Sequence, residues 1–333
     1  MSAEGNSREE IKERIEPVLN NVAVEGLRSW LRSIDLPTAA RTRATVTDFV
    51  AEQIAKEQLA EAALEKALIG FEEASEMRIY LFRMDEMTTQ PAEEWMPSRL
   101  RAEGVPLTNM RKFAGDRTKP MSPIYAEIEG GTLRVKWAEE HRMSKLNQTG
   151  DGVDFKPVPK RVVLIADFLS GTAELRLSPA ENGHSYTDFS GRATPEAYYN
   201  AYIEKARQLL GCALQPIEMR PVIRRLVEEI EPRVIRIHID NHTDQKNYKF
   251  KTTGPKADVR DSDGWQLDYS QNGDTWAWDA QSFYWLPGVS SEILNREVYS
   301  HIDAEAGFIK VNADCSDKEV TYVVTQIRTR ETK

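Results

Sequence analysis

The sharpest chemical pattern in the sequence is His238-Ile-Asp240-Asn-His242. Residues two apart share one face of a β-strand, so His238, Asp240 and His242 would project together. Two imidazoles and a carboxylate at that spacing suit a transition metal. His301 and Asp303 repeat the His-Ile-Asp spacing and complete such a site if their strands are neighbours. This reading makes the chain a metal-dependent enzyme. Against it stands the run NHTDQKN from Asn241, which has the composition of a turn. The expectation is therefore that His238 packs in the sheet, that His242 sits exposed in a turn, and that the protein needs no metal or other cofactor.

A second constellation is cationic. Arg99, Arg101, Arg111, Lys112, Arg117 and Lys119 cluster within a short stretch, and Arg220, Arg224 and Arg225, with Arg233 and Arg236 beyond them, form another group. Guanidinium and ammonium groups in such density suit phosphates, and the two groups are expected to share one connected face. Glu228, Glu229 and Glu231 beside the second group make helix-surface ion pairs an equal explanation. Trp265, Trp276, Trp278 and Trp285 lie close together with Phe283 and Tyr284. Alternation at Trp276, Trp278 and Ala280 puts both indoles on one face, as a sheet core or as a stacking platform; burial is expected. Asp258, Asp261 and Asp263 read as a solvated turn rather than a calcium loop. The chain lacks G-x-S-x-G, the phosphate-binding loop G-x-x-x-x-G-K-[ST], G-x-G-x-x-G and H-E-x-x-H.

The elements that must position these residues follow from periodicity. Ile11, Ile15, Val18 and Leu19, then Val24, Leu27, Trp30, Leu31 and Ile34, fall at helical spacing until Asp35-Leu36-Pro37. Thr45 or Thr47 is the expected cap of a third helix with Phe49, Val50 and Ile54, and a further helical run extends from Leu59 to Met84. Seven prolines between 91 and 161 indicate a basic, loop-rich connection with one strand, Thr132 to Ala138. A hairpin is expected over 161 to 177, helices over 194 to 210 and 216 to 230, and strands at 234–239, 248–251, 276–285, 297–302, 307–312 and 320–327. The fold class is α+β: an N-terminal helical bundle (1–90), a basic Pro-rich connection (91–131), then an antiparallel-sheet domain with helices packed on it (132–333), with a sub-boundary near 232.

Composition sets the outer bounds. The 333 residues carry 44 Lys+Arg against 53 Asp+Glu, a net charge of -9, with 40% apolar residues, enough to bury a core in each of two domains. Residues 1 to 90 are net acidic, whereas 91 to 161 are net basic. No long apolar run suggests a membrane span or a secretion signal, so a cytoplasmic or nuclear location is expected. Cys212 and Cys315 are too few for a disulfide framework; two buried thiols are expected.

Two resemblances bear on function. Leu27-Arg-Ser-Trp-Leu-Arg-Ser-Ile-Asp-Leu-Pro37, followed by a helix with Phe49, Val50 and Ile54, is similar over residues 27 to 56 to SAP-type DNA-binding modules, without that family's glycine-and-lysine turn. The larger layout resembles the centromere protein N family of kinetochore adaptors. It has an N-terminal helical region ending in Tyr80-Leu-Phe-Arg-Met84, a basic connection, a strand with Trp137, a hairpin and two helices. That resemblance implies a non-enzymatic protein holding nucleosomal DNA and protein partners through basic residues. The net negative N-terminal region and the Trp-rich C-terminal part depart from it. The expectation is an intracellular, non-enzymatic adaptor contacting DNA or an acidic protein partner through the basic residues named above. The alternative is an enzyme with a metal on His238, Asp240, His242 and His301.

Overall fold

The computed structural model describes residues 7–20, 22–85, 91–113, 121–146, 153–179, 185–188, 194–229, 234–244, 246–252, 257–287 and 294–331. The fold is α+β, with helices preceding the sheet strands. In chain order come α1 (Arg8–Leu19), α2 (Val24–Ser33), α3 (Arg43–Ala55), α4 (Glu61–Ala74), β1 (Arg78–Met84) and α5 (Ala92–Ala102). Next are β2 (Ser122–Glu129), β3 (Thr132–Leu146), β4 (Val153–Asp167), β5 (Thr172–Leu177), β6 (Ser185–Asp188), α6 (Pro195–Leu210) and β7 (Leu214–Pro216). The rest are α7 (Met219–Glu228), β8 (Val234–His242), β9 (Asn247–Lys251), α8 (Asp263–Asn272), β10 (Ala277–Trp285), β11 (Val298–Asp303), β12 (Phe308–Val311) and α9 (Asp317–Arg328). Contacts divide the chain into two units, Met77–Ile217 and a second formed by Met1–Glu76 with Glu218–Lys333.

In the unit that holds both chain ends, Ser7 and Glu10 form a capping box on α1, whose Ile11, Ile15 and Leu19 are buried. The cap of α3 is Thr42, reciprocated by Thr45, a few residues earlier than the expected Thr45 or Thr47. Gly26 of α2 lies so close to the 314 segment that a β-carbon would stand 2.5 Å from the Asp314 carbonyl oxygen. The strands of this unit run in the order β12-β11-β10-β8-β9, with antiparallel neighbours. One face is the core. Trp285 meets Tyr322 of α9 at 6.1 Å between ring centroids, and Trp265 of α8 meets Trp276 at 5.2 Å. Arg236, fully buried, donates to the carbonyls of Leu226 and Glu229 and so ties the last turn of α7 to β8.

In the Met77–Ile217 unit the order is β2-β3-β4-β5-β1, with β6 added to β3 and β7 to β1. Trp137 of β3 and Tyr202 of α6 pack at 6.0 Å, which sets α6 on one face. The expected features of α6 are present: Thr194 caps it, Pro195 opens it and Gly211 ends it at φ 69.

Three expectations are corrected. The helical run ends at Ala74, because Glu76 adopts φ 55 and Ile79, Tyr80 and Phe82 favour extended backbone; residues 78–84 are β1. The stretch from 91 to 161 is more than a loop with one strand, since Pro91 caps α5, Pro97 lies within it, and Pro123, Pro157 and Pro159 are accommodated inside β2 and β4, which flank β3. Residues 320–327 are helix: Ser316 and Glu319 form a capping box, and Val320, Val323, Val324 and Ile327 recur at helical spacing.

Candidate functional site

The face of the β12-β11-β10-β8-β9 sheet opposite α8 and α9 is polar and half exposed. Register puts Lys251, His238, Ser282, His301 and Lys310 in one row across all the strands of this sheet. The next row is Lys249, Asp240, Ala280, Asp303 and Phe308. Small Ala280 and Ser282 on the middle strand therefore form the floor of a shallow trough. Its walls are two His-Ile-Asp segments, His238 to Asp240 on β8 and His301 to Asp303 on β11.

The trough is internally bonded. Tyr299 Oη donates to Ser282 Oγ at 3.1 Å, and Ser282 Oγ lies 2.8 Å from His301 Nδ1. Ser282 Oγ thus bridges the Tyr299 hydroxyl and the His301 ring. Burial pulls the His301 pKa below the ordinary histidine range, outweighing the attraction of Asp303; His238 and Lys310 act with burial, Asp240 against it. His238 Nε2 is 3.1 Å from Asp240 Oδ1, and Lys249 Nζ is 3.6 Å from Asp240 Oδ2.

A β-bulge shapes this face. Trp278 opposes Asn241 while Ala280 opposes Asp240, so Asp279 is an extra, bulged residue. The bulge puts Ala280 on the opposite face from Trp278, against the alternation expected from sequence, and brings Asp279 Oδ2 to 2.5 Å from His242 Nδ1. The ladder continues through His242, opposite Ala277, rather than ending in a turn at Asp240.

His238, Asp240 and His242 thus share a face, as their spacing indicates, yet each imidazole faces a different carboxylate. β10 intervenes between β8 and β11, so the His238 and His301 backbones stand two strand spacings apart, about 10 Å. Among the described residues no group of three His, Cys, Asp or Glu side chains is placed to hold a metal. His238 is half exposed on the open face rather than packed in the core.

The cationic residues fall in both units. Arg99, Arg101, Arg111 and Lys112 belong to Met77–Ile217, while Arg220, Arg224 and Arg225 belong to the other unit; Arg117, Lys119 and Arg233 lie outside the described residues. Arg99 donates to the Leu210 carbonyl at the end of α6 (3.3 Å). Arg111 pairs with Glu127 at 3.1 Å. Arg220 reaches Asp279 at 3.5 Å, and Arg224 holds Glu228 at 2.7 Å and Asp274 at 3.3 Å. Arg225 donates to the carbonyls of Arg330 and Glu331. Arg101 and Lys112 are exposed.

Between Arg101 and Lys112 the chain is fastened at several points. The Ala126 amide donates to the Pro106 carbonyl, the Thr108 amide donates to the Ala126 carbonyl, and Lys136 Nζ donates to the Lys112 carbonyl at 3.0 Å. Val105 is buried, yet Leu107 and Met110 are 48% and 71% exposed. Sequence reading found the cations of this segment but missed its two apolar residues, which lie outside any periodic pattern. The tryptophans lie where expected: Trp276 and Trp278 are buried, packed with Trp265, Tyr269, Tyr248 and Phe250. Asp258 is no cation ligand, for it holds Arg260 and Arg236. Compared with models of known protein families and with characterised proteins, the chain matches none.

Proposed function

We propose that this chain is a binding or adaptor protein and that the segment between α5 and β2 holds an acidic protein partner. The observation that carries this reading is a pinned loop that exposes Leu107 and Met110 between the cations Arg101 and Lys112. A connection fixed by backbone bonds loses little entropy on association, so the exposed apolar area contributes to affinity rather than to ordering the loop. Exposed apolar side chains rimmed by charge are the surface of a protein partner. A phosphate backbone offers them nothing to bury against, and this favours an acidic protein over DNA. Arg111, Arg220 and Arg224, expected to meet phosphates, are in ion pairs with acids of their own units. The resemblance in layout to the centromere protein N adaptors is in line with a scaffold of this kind, with the difference that Tyr80 to Met84 lie in β1 and not in a helix.

The experiment is a fluorescence titration of the full chain with a synthetic peptide alternating Glu and Leu and, separately, with a short DNA duplex, each at low and high salt. Saturable peptide binding that persists at high salt is expected, since an apolar component is not screened. Tighter binding of the duplex, with the steep log-log salt slope of phosphate neutralisation, would overturn the reading.

A further inference from the structure

We infer that the Met77–Ile217 unit carries a second docking surface, independent of the Leu107 loop and of opposite charge: the paired turns that expose Leu169 receive a basic protein segment bearing an apolar side chain. Leu169 is the most exposed large apolar side chain among the described residues, at 83%. It lies in the turn between β4 and β5, and that turn is fixed. Asp167 Oδ1 accepts from the amides of Leu169 (2.9 Å) and Ser170 (3.2 Å), and Asp167 Oδ2 accepts from the Ser170 hydroxyl at 2.7 Å. The Phe168 amide donates to the Gly131 carbonyl at 3.0 Å, which joins this turn to the one between β2 and β3. The Gly131 amide in turn donates to Glu93 Oε1 at 3.0 Å, which joins both turns to the start of α5.

The leucine rests on Gly131, where a β-carbon would stand 3.0 Å from Leu169 Cγ; a side chain there would displace it. Beside it Phe168 meets Trp95 of α5 edge to face at 5.7 Å, and both rings are half-buried. A turn held in this way loses little entropy on association. Its surroundings are acidic. Glu93 and Glu94 stand in the first turn of α5, and Glu129 and Asp167 end β2 and β4. Glu94 and Glu129 are exposed and in no ion pair among the described residues. The cations beside them are Arg83, at the far end of the row Glu129, Thr132, Asp167, Thr172 and Arg83, and Arg99, which lies 5.9 Å over the Trp95 ring and donates to the Leu210 carbonyl. Acids therefore prevail around the leucine. An exposed apolar side chain rimmed by carboxylates suits a segment that offers Lys or Arg beside its own apolar residue. The same carboxylates repel nucleic acid and anionic lipid.

The test is fluorescence anisotropy of a labelled peptide alternating Lys and Leu, titrated with the full chain at low and high salt, with a Lys-Ser peptide as the control for charge alone. Saturable binding of the Lys-Leu peptide is expected, well above that of the Lys-Ser peptide. Leu169→Ser should weaken it at least tenfold at either salt concentration without changing the melting temperature, since the side chain is exposed. Glu94→Gln together with Glu129→Gln should weaken it at low salt and change it little at high salt, because exposed charges are screened. The outcome does not depend on whether the Glu-Leu peptide binds the other surface. Undiminished Lys-Leu binding in Leu169→Ser, or equal binding of the Lys-Ser peptide, would overturn the proposal. So would attachment to neutral phosphatidylcholine vesicles, or self-association in sedimentation, that is lost in Leu169→Ser.

Discussion

His238 and His301 lie in the same cross-strand row, with Ser282 between them. Because β8 and β11 both run antiparallel to β10, they are parallel to each other, and each places His-Ile-Asp at the same height. The same short segment therefore appears twice on one sheet face, displaced by two strands. The two rings differ in what they touch, a carboxylate for His238 and a hydroxyl for His301.

This difference has a consequence for stability. His301 has a lowered pKa in the folded protein because of burial, so below its ordinary value of about 6.5 the unfolded chain binds the proton first. Stability is then expected to fall as pH drops below that value, and to stop falling through this group once the folded ring is protonated as well. Urea titrations across this range should show a shallower decline in His301→Gln than in the natural chain. An identical decline in both would refute the assignment.

The tryptophan cluster is structural. Trp278 is 3% exposed and packs on Trp265 and Tyr269. Trp278→Ala is expected to cost about 3 to 5 kcal/mol in chemical unfolding. Arg236→Ala should cost a similar amount, about 3 to 5 kcal/mol, because Asp258 and the carbonyls at the end of α7 lose their buried partner. Wild-type melting of either variant would contradict the packing described.

Both thiols are free, and burial raises the pKa of each above the ordinary cysteine value. Cys315 is fully buried and Cys212 only partly so. A thiol reagent is expected to modify Cys212 slowly in the native protein and Cys315 only after denaturant is added. Fast reaction of both thiols in the native state would be inconsistent with this burial.

How far the sequence could be read depended on whether a signal was local. Thr194-Pro195 and Gly211 delimit α6 because a cap, a fixed φ and a left-handed residue act within one turn. Residues 320–327 misled because six β-branched residues mimic a strand, while the decisive capping box at Ser316 lies just upstream. The shared face of His238, Asp240 and His242 was legible from alternation alone. The in-register placement of His301 was not, since it depends on which strands pair. The bulge at Asp279, which turns Ala280 over and gives His242 its carboxylate, has no signature in residue type. Leu107 and Met110 were invisible for a related reason: their exposure follows from hydrogen bonds to Ala126 and from Lys136, both distant in sequence.

The most direct measurement of the central claim is calorimetric titration of the acidic Glu-Leu peptide into the natural chain and into a Leu107→Ser, Met110→Ser variant. The segment is held by backbone bonds that these substitutions leave in place, so an unchanged melting temperature is expected. Affinity for the peptide should fall at least tenfold, with a smaller negative heat-capacity change as the apolar contact is lost. Equal affinity in the two proteins would contradict the account.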